Sequence, residues 1–169
     1  MIIPALDRLH AEFPGEFKLY VIGVSRKLSD KPWIEQLKPA SALYPDFINW
    51  FSSLSQFDVG LSPLVDNSFN KSKSDIKCLD YLANGVKPVV SNVAAYDNKD
   101  LDDLIVRVDN SVIDWYRVIK KEIEDKTKTR GEMTVRARKG FDYINKNRGV
   151  AKASAEIEKC LEKVINRNR

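Results

Sequence analysis

Apolar positions along the chain change period, and the changes mark its elements. Leu6, Leu9 and Phe13 recur at helical spacing in "ALDRLHAEF", and the Pro14–Gly15 pair ends that helix. "FKLYVIGV" (17–24) has an apolar C-terminal half and predicts a strand. Residues 25–44 are irregular, with a short strand at either Ile34–Leu37 or Ala40–Leu43. "YPDFINWFSSL" (44–54) sets Phe47, Trp50, Phe51 and Leu54 on one helical face. "FDVGLSPL" (57–64) predicts a strand closed by Pro63, and the polar loop "VDNSFN" leads into a helix over about 72–84. "KPVVSN" (87–92) and "DLIVRV" (103–108) are short apolar strands. From residue 111 the pattern is helical: Trp115, Val118, Ile119 and Ile123 form one stripe, "EMTVRARKGFDYINKN" a second helix, and Ala153, Ile157, Leu161, Val164 and Ile165 the stripe of a third.

Helix and strand alternate over the first two-thirds, which implies a parallel α/β sheet with helices on its faces. The predicted fold is a Rossmann-like parallel sheet with flanking helices and a helical C-terminus. It forms one domain over residues 1–169, with 111–169 as that domain's terminal helices. Ligands in such sheets sit outside the carboxyl ends of the strands, near helix N-termini. The loop at 65–72 lies at such a place.

Composition narrows the function classes. With 43% apolar and 31% charged residues the chain can build a core. A net charge of +4 favours phosphorylated ligands or an anionic membrane surface. The basic residues are dispersed and no aromatic-and-basic platform appears, so nucleic acid is not an expected partner. The two cysteines, Cys78 and Cys160, fall at helical positions and read as reduced, buried thiols of a cytosolic protein. One histidine, His10, and no C-x-x-C leave no basis for a zinc site. His10 reads as a surface or packing residue, Trp50 and Trp115 as core residues, and Trp33 as partly exposed. No run reaches transmembrane length and no signal peptide is evident.

The stretch "NKSKSDIKCLDYLANGVKPVVSN" (70–92) carries the candidate chemistry. Ser72 and Asp75 have the spacing of a capping box, and Gly85 that of a helix stop. Lys73 and Lys77 are i, i+4 neighbours, and lysines at a helix N-terminus oppose the macrodipole. A diphosphate would account for them, met by serine hydroxyls, backbone N–H groups and ammonium ions. Asp80, about two turns later, suits the adjacent hydroxyls of a ribose. The residues equally fit a solvated helix start in which Asp80 pairs with Lys77 or Lys73.

The string "FDVGLSPL…FNKSKSDIKCLDYLANGVKPVVSNVAAY" resembles the donor-binding C-terminal half of the GT-B glycosyltransferases of group 1 (family 4). Asp58 to Pro63 match the family's D-[VI]-x-[LV]-x-P strand. Ala83, Gly85, Pro88, Val89 and Val90 match its A-x-G-x-P-V-V string. Residues 69–77 are similar to a branch with FN-x-x-KSD-x-K. The resemblance runs from about residue 4 to 108 and more loosely through the terminal helices.

The resemblance implies a nucleoside-diphosphate sugar as donor substrate and no cofactor or metal. It makes Asp80 the second acid of the E-x7-E motif, a ribose ligand. Ser72 stands where the first acid belongs, a departure that bears on the donor sugar. Ser74 falls at a small position beside the phosphates, Lys73 and Lys77 become phosphate partners, and Gly60 to Pro63 line the cleft floor. Tyr96 is a candidate ligand contact. No catalytic base is assigned. The leaving diphosphate would be neutralised by Lys73, Lys77 and Ser74.

The resemblance also implies that the family's glycine-containing first strand and acceptor-binding domain lie outside these residues. The chain alone would then bind nucleotide weakly and transfer nothing to a glycan or lipid-linked acceptor. Its sheet would close by direct pairing of the flanking strands or offer an edge to another chain, an oligomer contact. The implied setting is cytoplasmic, with peripheral association at the inner membrane face. The contrasting expectation is a non-catalytic α/β regulatory or partner-binding module, for which Ser72 speaks.

Overall fold

The computed structural model describes residues 2–23, 31–41, 43–54, 57–125 and 130–167. The order of elements is α1 (Ile3–Glu12), β1 (Leu19–Ile22), β2 (Ile34–Leu37), α2 (Tyr44–Ser53), β3 (Val59–Ser62), α3 (Ser68–Lys71), α4 (Ile76–Ala83), β4 (Lys87–Ser91), β5 (Val106–Val108), α5 (Val112–Glu124), α6 (Arg130–Arg148) and α7 (Val150–Arg167). Of the two alternatives in the irregular stretch, the strand falls on Ile34–Leu37. Prolines set the entries of α1 and α2, where a missing N–H costs no intrahelical bond. Gly85 stops α4 at φ +71°, with Val86 N–H on Tyr81 O (2.9 Å) and Gly85 N–H on Leu82 O (3.1 Å). These are the two bonds of a Schellman ending.

Among the described residues every strand pairing is parallel. The fold is α/β with flanking helices and a helical C-terminus, and it fits a Rossmann-like arrangement. The strands form two sheets, β1–β2 and β3–β4–β5. Direct pairing of β1 with β3 does not occur.

Strand β4 is covered on both faces, as its apolar run requires. Val89 faces a cluster of Ala5, Leu6 and Leu9 from α1 and Trp115 and Ile119 from α5. Val90 faces the opposite cluster, with Cys78 and Leu82 from α4 and Tyr96, Leu101 and Ile105 from the segments after β4. Glu12 on α1 accepts hydrogen bonds from Tyr116 and Lys120 on α5, tying the two helices at the rim.

Three packing expectations change. Trp115 is fully buried, whereas Trp50 is only half-buried. Cys78 is buried but Cys160 is exposed. The α7 stripe is also exposed, from Ile157 at 60% to Ile165 at 56%, because α7 packs chiefly against α6 and not against the sheet.

Candidate functional site

The carboxyl ends of β3, β4 and β5 are locked together by three short polar bonds. Ser91 Oγ accepts from Leu64 N–H (2.7 Å) and donates to Asn110 Oδ1 (2.7 Å), while Asn110 Nδ2 donates to Leu64 O (2.9 Å). The loop leaving β3 is therefore fixed at its base. Its far end is held by Asn70, whose Nδ2 donates to Val65 O (2.7 Å) and whose N–H bonds Asn67 Oδ1 (2.8 Å). Asn67 is thus the cap of the short helix α3.

The helix expected over 72–84 starts four residues later, and a separate short helix, α3, precedes it. Ser72 ends α3, and α4 begins only at Ile76. The Ser72–Asp75 capping box is not formed, since no side chain caps α4. Asp75 is instead drawn inward, 7% exposed, where Arg148 and Asn98 (Nδ2, 3.3 Å) bond its carboxylate. The same Ser-x-x-Asp spacing does cap a helix at α5, where Ser111 Oγ accepts from Asp114 N–H (3.0 Å). Lys73 lies in the turn before α4, so it and Lys77 are not neighbours on one helix face.

Ser72, Lys73 and Ser74 form an exposed turn, with the Lys73 ammonium 5.0 Å from the Phe69 ring centre. Lys77 is exposed on the first turn of α4. Asp80 is half-buried one turn on. Burial pushes its carboxyl above the usual range, and the charge of Lys77 offsets part of that rise. Among the described residues no side chain hydrogen-bonds the Asp80 carboxylate. Ser72, Lys73 and Ser74 thus lie between α3 and α4, Lys77 and Asp80 on α4 itself, and exposed Pro63 just after β3.

Two expected lining groups face elsewhere. Gly60 is buried against Tyr81: a Cβ there would stand 2.6 Å from ring carbons. The Tyr81 hydroxyl donates to Leu61 O (3.1 Å). Tyr96 is 3% exposed and its hydroxyl pairs with Ser62 Oγ at 2.7 Å, so neither Ser62 nor Tyr96 offers a free group at the surface. Both strand residues point inward because β3 alternates and this parity faces α4.

His10 stacks on Trp33, with ring centres 4.7 Å apart and planes 12° from parallel, a packing role. Arg148 is the site-supporting residue that the sequence pattern did not reveal. It lies 73 positions from Asp75, and only the contact of α6 with α4 brings it there. Among the described residues, no group of three or more His, Cys, Asp and Glu is placed to hold a metal ion, and no helix is long and apolar enough to cross a membrane. No family model matches the chain, and no curated protein matches it.

Proposed function

We propose that the chain is the nucleotide-sugar-binding part of a glycosyltransferase, which transfers a sugar from a nucleoside-diphosphate donor to a glycan or lipid-linked acceptor. The observation that carries the reading is Asp80, a half-buried carboxylate that no side chain among the described residues hydrogen-bonds, one turn from Lys77. Burial without compensation opposes folding, so the position favours a ligand that supplies donors. Two ribose hydroxyls are such donors. The exposed Ser72–Ser74 turn and Lys77 then meet the diphosphate, which needs cations and N–H groups and no metal. Lys73 and Lys77 are the electrostatic partners of the leaving group and Asp80 orients the nucleoside. The acceptor and its general base belong to a second domain, and the setting is cytoplasmic, at the inner face of a membrane.

Titration of the isotope-labelled chain with uridine or guanosine diphosphate tests this. Amide shifts concentrated at residues 72–80 are expected, lost in Asp80→Ala. No shift at millimolar nucleotide would favour the non-catalytic module.

A further inference from the structure

Arg107 is a cation in a strand whose other residues belong to the core. Val106 and Val108 join the cluster under α1 and α5. Arg107 pairs with Val90 in the register of β4 and β5, so it lies on the opposite face, where Val90 meets α4 and the segment after β4. Its side chain is 19% exposed. A guanidinium so placed opposes folding unless its donors are met.

All three of its nitrogens are met by one segment, residues 96–102 between β4 and β5. Nε donates to Tyr96 O (2.9 Å), Nη2 to Asn98 O (2.7 Å) and Nη1 to the Asp102 carboxylate. The planar fork of donors holds three oxygens in one arrangement, which a single ammonium does not do.

Two residues of that segment reach onward with their side chains. Tyr96 pairs its hydroxyl with Ser62 Oγ, at the end of β3. Asn98 donates from Nδ2 to the Asp75 carboxylate (3.3 Å), while its Oδ1 accepts from Asp100 N–H (3.1 Å) and so leaves Nδ2 for Asp75. Ser62 precedes the loop of residues 63–75, and Asp75 ends it, its carbonyl accepting from Cys78 N–H (2.8 Å) as α4 opens. One guanidinium therefore stands behind both ends of the loop that carries Ser72, Lys73 and Ser74.

We infer that Arg107 is the positioning residue of this loop, acting through Tyr96 on its start and through Asn98 and Asp75 on its end. Among the described residues none of its hydrogen bonds goes to Ser72, Lys73, Ser74, Lys77 or Asp80, so its effect on a ligand there is indirect. The consequence for binding rests on the nucleotide reading of residues 72–80; the consequence for the loop does not.

The test uses the full chain with Arg107→Lys, which keeps the charge but not the fork, and Arg107→Met, which keeps only an apolar stem. Amide hydrogen exchange is followed at Ser72, Lys73 and Cys78, whose N–H groups bond Phe69 O, Asn70 O and Asp75 O, with Val89–Ser91 of β4 as the reference. In Arg107→Lys the first three should exchange about two- to tenfold faster, the range of one lost hydrogen bond, with the reference unchanged. Uridine or guanosine diphosphate, whichever the parent binds, should bind more weakly by a similar factor. In an Asn98→Ala background Arg107→Lys should add less than about twofold at Cys78, since the path to Asp75 is already cut. Should Arg107→Met fail to fold, Arg107→Lys still gives each reading.

Unchanged exchange at Ser72, Lys73 and Cys78 would overturn the inference. So would equal acceleration at Val89–Ser91 or full additivity with Asn98→Ala, either of which makes Arg107 a general support of the sheet. Local acceleration with undiminished affinity for a nucleotide that the parent binds also overturns it. A parent that binds neither nucleotide at millimolar concentration, with the local acceleration present, would sink the nucleotide reading and leave Arg107 as the positioning residue of the loop.

Discussion

Arg148, the last residue of α6, bonds the buried carboxylate of Asp75 at the entry to α4. Asn98 completes the cluster by bridging Asp75 and the Tyr143 hydroxyl, both at 3.3 Å. The turn 72–74 and the first turn of α4 are thereby held from behind by a helix far along the chain.

Removing that support should loosen the candidate site. In Arg148→Ala the Asp75 carboxylate stays buried with Asn98 as its remaining partner, which costs about 1–3 kcal/mol. Urea unfolding should show the loss, and amides at 72–77 should exchange faster than in the parent. Arg148→Lys keeps the charge but not the fork of donors, so it should recover only part. An unchanged midpoint for Arg148→Ala would mean that the cluster contributes nothing.

Asp80 predicts an opposite sign for stability and binding. Its carboxyl is raised by burial, so the folded state holds the proton more tightly than the unfolded chain does. Stability from this group is therefore gained as pH falls from the folded value toward the unfolded one, and lost as pH rises through that window. At neutral pH the charged form opposes folding, and Asp80→Asn should stabilise by no more than about 0.5–1 kcal/mol after solvent screening. The same variant should weaken nucleotide binding. Thermal melts at pH 4 and pH 7 check the first part, since the difference between parent and variant should shrink at the lower pH.

Gly60 is a close-approach position. Its missing side chain is what lets Tyr81 lie against β3 and bond Leu61 O. Gly60→Ala should destabilise by about 1–3 kcal/mol through overpacking. In a Tyr81→Leu background the same change should cost less, and a double-mutant cycle measures the coupling.

The cysteines should separate by reactivity. Cys160 is exposed, while burial, together with the nearby Asp75 charge, pushes the Cys78 thiol up to about 12. An aromatic disulfide reagent should titrate one thiol in the native chain and two in denaturant. Cys160→Ser should abolish the native reaction; one equivalent remaining in that variant would place Cys78 at the surface.

The sequence by itself determined the alternation of elements, the parallel α/β class and the stop of α4, because these depend on local terms. Period separates strand from helix, and Gly85 alone tolerates the positive φ that ends α4. It also placed Ser72, Lys73 and Ser74 between β3 and β4 and Lys77 and Asp80 on the helix before β4, since these follow one another in the chain. Only the tertiary structure decided that Asp75 turns inward to Arg148 instead of capping α4, and that Tyr96 and Gly60 are spent on Ser62 and Tyr81. Those outcomes depend on partners many residues away, and burial of a charge or a hydroxyl overrides a local cap worth about 1 kcal/mol. The break between β1 and β3 was likewise decided by packing. Both strands are legible as apolar runs, but which edges pair is a property of the assembled layer.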